Sequence, residues 1–386
     1  MKNQFIIIFL LLSSSLTAQK ISGIVIDKAT KKPIPFVSII NDTENKATVT
    51  NDEGEFEINI SKLPVEFKIS HVSYKKVSVE ITEYKKYSIE LSENVIELAE
   101  VATGNRASIL LNLAIQKARK DSNTYHYSKM FFQKVAKEGG NTNTIHEIFF
   151  EAGWDSYGIR LWNPTDARYA KNESHHSFSN ITTFAFLLVG TINKNRAFPN
   201  NIFENKENNK YTISGVLNEG LNDEVAIIQC TPIDKKISYF DGKIYINSTY
   251  DNIMKIEGVY YHKRDRSIDK ISFKNNFTNL VVNFKEDEFH RTYFQSAELT
   301  YNITMHYALI ASRKFTERVK IIAYEDVKHF NNLKSSYVRS DLDLIKKTTY
   351  NKLFWNNNPV IKNTPILEKE IRGFEENRSF GNYFDK

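Results

Sequence analysis

Between Lys20 and Leu91 the chain alternates apolar and polar residues with a period of two. In Val65-Glu66-Phe67-Lys68-Ile69-Ser70 the apolar residues take every odd position. Phe56, Ile58 and Ile60 repeat this against Glu55, Glu57 and Asn59. Val77, Val79 and Ile81 do so against Ser78, Glu80 and Thr82, and Tyr87, Ile89 and Leu91 against Ser88 and Glu90. Successive strand side chains point to opposite faces, so each run has one dry face and one wet face. Runs this closely spaced predict short strands in two sheets packed face to face. Pro33 and Pro35 precede Phe36-Val37-Ser38-Ile39-Ile40, where a strand can begin without losing a ladder donor. Asn51-Asp52-Glu53-Gly54 reads as a turn, because glycine takes a positive φ cheaply and Asn and Asp side chains bond nearby amides.

After Thr103-Gly104-Asn105 the pattern changes. Ala107, Leu110, Leu111, Ala114 and Ala118 recur at helical spacing, predicting a helix over about 106–120 with Lys117, Arg119 and Lys120 toward its C-terminal end, where cations suit the helix dipole. Strands then return. Lys129–Val135 and Ile145–Glu151 form an expected hairpin across Glu138-Gly139-Gly140-Asn141. The stretch from Asp155 to Asn180 reads as irregular, and Phe198–Lys210 as an Asn-rich loop. The apolar segment Ile181–Ile192 is long enough for a helix or a strand, and its pattern does not choose. From Tyr211 to Val327 seven runs alternate or are rich in aromatic and β-branched residues, as strands prefer. Asp241-Gly242 and Asp251-Asn252 are read as turns between them. Thr364 and Pro365 suit an N-cap and a first helical position, and Leu367, Ile371 and Phe374 mark a helix over about 365–376.

Three stretches carry resemblances. Gly23 to Asp27, the strand Pro33-Ile34-Pro35-Phe36-Val37 and the turn Thr50 to Phe56 resemble the carboxypeptidase-regulatory-like module, and Ile96 to Val101 suits that module's exit strand. The resemblance implies a transthyretin-like β-sandwich that is not catalytic and that opens envelope proteins, including receptors of the Bacteroidetes. Tyr239 to Asn247, followed by Tyr250 to Ile256, resembles lipoprotein-carrier (LolA-like) half-barrels, with Asn247 where those have Asp. It implies a sheet curved around a lipid-holding cavity. The helix with Ala114-Ile115, the strand with Phe131-Phe132-Gln133-Lys134 and the tail Phe354–Ile371 resemble a Bacteroidetes group in which such a module precedes a middle domain of this kind. The expected fold is therefore mainly β. Residues 19–102 form the sandwich, and residues 103–386 an α+β domain with a large curved antiparallel sheet.

Composition adds the compartment. Lys2, the apolar run Phe5–Leu12 and the small residues Ser13–Ala18 read as a secretory signal peptide over 1–18. No cysteine follows that run to carry a lipid, and no later segment approaches the roughly 18 apolar residues of a membrane-spanning helix. The expected location is the periplasm, the outer membrane or the cell exterior. Cys230 is the one cysteine, so no internal disulfide can form, and its apolar neighbours mark a buried strand position. The formal charge of +6 is spread among acidic residues rather than gathered into a basic arm, which argues against nucleic acid as a partner.

The motifs for chemistry are missing. None of the nine histidines stands in H-E-x-x-H, and there is no G-x-S-x-G elbow, phosphate loop or C-x-x-C pair. His146-Glu147 on a strand would point to opposite faces, and His175-His176 lies in a polar loop. No catalytic residue, metal ligand or cofactor is expected, and the chain reads as a non-enzyme. The aromatic content of 13% has two readings. It fills a large β core, or it helps line an apolar-ligand cavity with Phe184, Phe186, Leu188 and Ile256. The first suits a binding or scaffolding protein with another envelope protein as partner. The second suits a carrier of lipid or lipoprotein. A hydrolase assembled from distant residues is the third alternative.

Overall fold

The structure is a computed structural model. It describes residues 19–44, 46–71, 73–93, 99–103, 105–122, 124–172, 211–217, 225–233, 240–261, 266–268, 271–287, 289–307, 310–331, 333, 342, 345–357 and 361–380. Residues 1–18, Ile181–Ile192, Phe198–Lys210 and His175-His176 lie outside them. The chain divides into two compact units, Met1–Asn94 with Trp355–Thr364 and Val95–Phe354 with Pro365–Lys386.

The first unit is the expected sandwich. Its three-stranded sheet has the order β4 (Glu55–Ile60), β1 (Gln19–Asp27), β7 (Lys86–Leu91). Its four-stranded sheet runs β3 (Lys46–Val49), β2 (Ser38–Asn41), β5 (Val65–His71), β6 (Tyr74–Ile81). Alternation does what it promised: Phe56, Ile58 and Ile60 from one sheet meet Ile39, Phe67 and Ile69 from the other in one buried core. Gly54 has φ 69°, and the Asn51 side-chain oxygen accepts from the amides of Glu53 and Glu55, both at 2.9 Å. Lys75 and Lys76 stand exposed on the edge strand β6, where charge discourages pairing with other chains.

The second unit is built on one large antiparallel sheet. Its strands are β8 (Ala99–Thr103), β9 (His126–Glu138), β10 (Asn141–Asp155), β11 (Gly158–Lys171), β12 (Tyr211–Leu217), β13 (Val225–Pro232), β14 (Phe240–Asn247), β15 (Asn252–Tyr261), β17 (Ile271–Glu286), β18 (Thr292–Tyr307) and β19 (Ile310–Val327). They lie in the order β11-β10-β9-β19-β18-β17-β15-β14-β13-β12-β8, with β16 (Arg266–Ile268) beside β17. Register shifts between neighbours, as at Phe149/Phe150 and Asn283/Phe284, bend the strands. Helix α1 (Asn105–Asp121) packs on β8, β12, β14 and β15 and buries Ala107, Leu111, Ala114 and Ile115. The short α2 (Lys352–Asn357) and α3 (Pro365–Glu376) follow β19. Among the described residues no helix is long and apolar enough to cross a membrane.

Three readings change. The stretch from Asp155 was expected to be irregular, but Gly158–Lys171 is strand β11, paired with β10. Pro164 and the charges of Arg160, Asp166 and Arg168 hide its alternation; β11 is the outermost strand of its sheet, where a proline costs little. Asp241-Gly242 is no turn: both lie inside β14, with Gly242 opposite Gly258 on β15. A Cβ at Gly242 would stand 2.2 Å from the Glu257 carbonyl oxygen, so this glycine serves close backbone approach. The segment read as the sandwich's exit strand ends in β8, which pairs with β12 in the large sheet. By contacts the first unit runs to Asn94 and takes in the tail segment Trp355–Thr364.

Candidate functional site: a cleft at the end of the large sheet

The strands of the large sheet are long, and several end together beside the C-terminal half of α1. A cleft of about 240 Å³ opens there. Ala114, Lys117, Ala118 and Asp121 of α1 form one wall. His126 and Trp154, at the start of β9 and the end of β10, form the floor with Ile253 of β15. The β14–β15 turn contributes Asp251 and Asn252, and the β17–β18 turn Phe289, His290, Arg291 and Thr292.

The two turns are locked by hydrogen bonds. The Asn247 side-chain oxygen accepts from the amides of Thr249 at 3.1 Å and Tyr250 at 3.3 Å. Its amide nitrogen donates to Glu286 at 3.2 Å, and Asn252 donates to the other Glu286 oxygen at 2.5 Å and to the His290 carbonyl at 2.9 Å. In the second turn Asp287 accepts from the amides of Phe289 and Arg291, both at 2.9 Å, and from the Arg291 guanidinium at 2.7 Å. Burial works against the Asp287 charge, but these bonds outweigh it and hold the carboxyl below its ordinary range. Tyr250 and His290 stack with ring centroids 3.5 Å apart, and Lys117 donates to the Tyr250 carbonyl at 2.8 Å.

The floor is aromatic. The His126 ring lies 4.4 Å from Tyr293 and 5.8 Å from Trp154. Trp154 in turn rests on Phe284 and Phe294 at 5.9 and 6.3 Å. Burial, aided by the neighbouring Arg291 charge, pushes the His126 pKa down, so the ring is neutral at pH 7. Above it Phe289 is 68% exposed at the lip, with the Arg291 guanidinium 5.2 Å from its ring centre. A mouth this size with an apolar floor and a hydrogen-bonding rim suits one ring or a short alkyl chain with a polar end.

Of the cavity residues expected from sequence, Phe184, Phe186 and Leu188 lie outside the described residues. Ile256 is 3% exposed and sits in the hydrophobic core with Ile228, Ile244 and Val282. It does not line the cleft, whereas Ile253, on the same strand, does. Trp154, His126 and the Phe289–Arg291 turn carry no motif in the sequence that marks them as a site. The Asp287–Arg291 turn between two long strands was the available signal. Among the described residues no three of His, Cys, Asp and Glu are placed to hold a metal. His146 and Glu147 do face opposite ways: His146 packs 4.3 Å from Tyr169, and Glu147 pairs with Arg168.

Residues 21–103 match the family model of the CarboxypepD_reg-like domain. The first unit carries this domain. The matched span runs on through β8, the strand that the large sheet takes up. No curated protein sequence matches the chain. Among solved structures, a Vibrio parahaemolyticus domain named for outer-membrane lipoprotein sorting is 10% identical. It superposes with a TM-score of 0.26 over 63% of this chain and 98% of its own. A LolA superfamily protein from Nitrosomonas europaea is 10% identical, with a TM-score of 0.24 over 57% and 95%. A Bacteroides fragilis protein of unknown function, named for membrane association, is 8% identical, with a TM-score of 0.16 over 80% and 98%. Superpositions of this quality leave function to be argued from the chain's own residues.

Proposed function

We propose that this protein is a non-enzymatic binding protein of the cell envelope. Its CarboxypepD_reg-like unit is the recognition module for another envelope protein, and the cleft of its second unit seats a small amphipathic molecule. The observation that supports the second part is the floor of His126, Trp154 and Ile253 beneath the exposed Phe289. A neutral imidazole and an indole offer flat apolar contact, while the rim supplies donors for one polar end. Export follows from the signal-like pattern of the first 18 residues. A carrier of long lipid chains would need room on the core side of the large sheet. Trp154, Phe284, Phe294 and Ile256 fill that side among the described residues.

The test is thermal unfolding of the full chain with hexanoate, decanoate and phenylpropionate, beside an Ala118→Trp variant that fills the cleft. A ligand-dependent rise in Tm that the variant loses supports the reading, since a ligand that binds only the folded state stabilises it. No rise with any of the three, or an equal rise in the variant, overturns it.

A further inference from the structure

The first unit ends its two sheets on the same side. β3 is an edge of the four-stranded sheet and β4 an edge of the three-stranded one, and the two strands lie against each other. An edge strand presents unpaired backbone groups, which another extended segment can take up. Here such a segment is already in place. Ile361, from the tail of the chain, forms a parallel bridge with Val49 of β3 and is 8% exposed. The next residue, Lys362, reaches Glu55 at 2.9 Å and Glu57 at 3.9 Å on the outward face of β4. The bond from Lys362 is the largest influence on Glu55, holding its carboxyl below the ordinary range despite partial burial.

The site can therefore be described from its occupant. Beside Val49 it takes a branched apolar side chain, and one residue on it takes a cation over two glutamates spaced to share a strand face. Among the contacts that hold this segment are one backbone bridge, one apolar side chain and an ion pair whose lysine is 21% exposed. Partly exposed pairs of this kind contribute little. A segment with the same two features and a longer run of backbone pairing would add ladder hydrogen bonds along the same edge.

We propose that the margin of β3 and β4 is a strand-accepting site, closed in cis by Ile361-Lys362 and open in trans to an extended segment of an envelope protein bearing a branched apolar residue followed by lysine. This rests on the reading of the first unit as a recognition module. The cleft and its ligands take no part in the test, so the two readings fail separately.

The probe is a fluorescent peptide with the sequence of residues 358–364, measured by anisotropy against the full-length protein. An Ile361→Asp/Lys362→Glu variant weakens the cis segment, and it should bind the peptide at least tenfold more tightly than the parent chain does. Adding Glu55→Lys and Glu57→Lys to that variant should abolish the gain. Equal affinity for parent and variant overturns the proposal, and so does a gain that survives the glutamate changes. Circular dichroism checks that each variant folds. Should the double variant fail to fold, Lys362→Gln alone should still raise peptide affinity severalfold, and no rise overturns the proposal. Sedimentation velocity supplies the last arm: a dimer of the parent chain lost in Ile361→Asp would make a second copy the occupant, which overturns the assignment to another protein.

Discussion

The Arg168 guanidinium and the Glu147 carboxylate face each other across β11 and β10 with side chains 8% and 2% exposed. Gln133, opposite Glu147 on β9, donates to the second carboxylate oxygen at 2.6 Å. The ring of Phe380 lies 4.9 Å from the guanidinium and helps to keep the pair dry. Removing one member of a buried pair leaves the other charge in a poor solvent. Arg168→Met strands the Glu147 carboxylate at 2% exposure and should therefore destabilise the protein by about 3–5 kcal/mol, while Arg168→Met with Glu147→Leu should cost much less. Urea unfolding of the two single variants and the double variant checks this. Equal losses for the double variant and the sum of the singles would count against coupling.

Gly242 on β14 and Gly258 on β15 are opposed. A Cβ on Gly258 would lie 2.4 Å from the Asp241 carbonyl oxygen, matching the clash at Gly242. Backbone atoms cannot yield as a side-chain tip can. Gly242→Ala and Gly258→Ala should each cost about 1–3 kcal/mol, the range for overpacked sites. Gly373→Ala is the control, because a Cβ there meets nothing within 4 Å. Thermal unfolding of the three variants reads the difference.

His126 makes stability depend on pH. Its pKa in the folded protein is below the ordinary 6.5, first through burial and then through Arg291, with Asp121, Asp326 and Asp287 pulling the other way. The unfolded chain therefore binds the proton more readily, and stability rises with pH between the folded and unfolded values. Acidifying from pH 7 through 6.5 should lower the Tm, and His126→Phe should flatten that part of the profile. An unchanged profile in His126→Phe would refute the assignment.

Cys230 is 0% exposed inside β13, and burial, ahead of the nearby Asp241 charge, pushes its thiol pKa up. The thiolate is the reactive form. The native protein should resist iodoacetamide at pH 8 for hours, and one equivalent should react once denaturant is added. Rapid labelling of the folded protein, followed by mass spectrometry, would contradict the burial.

Much of the local structure was legible in the chain itself. Alternation in Phe56–Ile60 and Val65–Ser70 marked the strands of the sandwich, because a period of two assigns each side chain to a face without reference to anything distant. Asn51–Gly54 was legible as a turn, and 365–376 as a helix, because turn and cap chemistry act within a few residues. The candidate site was much less so. Ile256 lies in the packed core, while His126, Trp154 and Arg291 meet only once β9, β10 and β18 take their places in one sheet.

The sequence alone thus determined which residues are strand, helix and turn in the strongly patterned regions, and that the chain is mainly β. The tertiary structure decided which strands are neighbours. It set β19 against β9, drew β8 into the large sheet, made a strand of β11 and brought Ile361 to Val49. Pattern cannot see these choices. The charges that obscure β11 find their partners across strands, as Arg168 does in Glu147, and the glycine that looked like a turn is required by a backbone on the next strand. Local propensity acts over a few residues, but pairing is chosen by the sum of contacts between residues far apart in the chain.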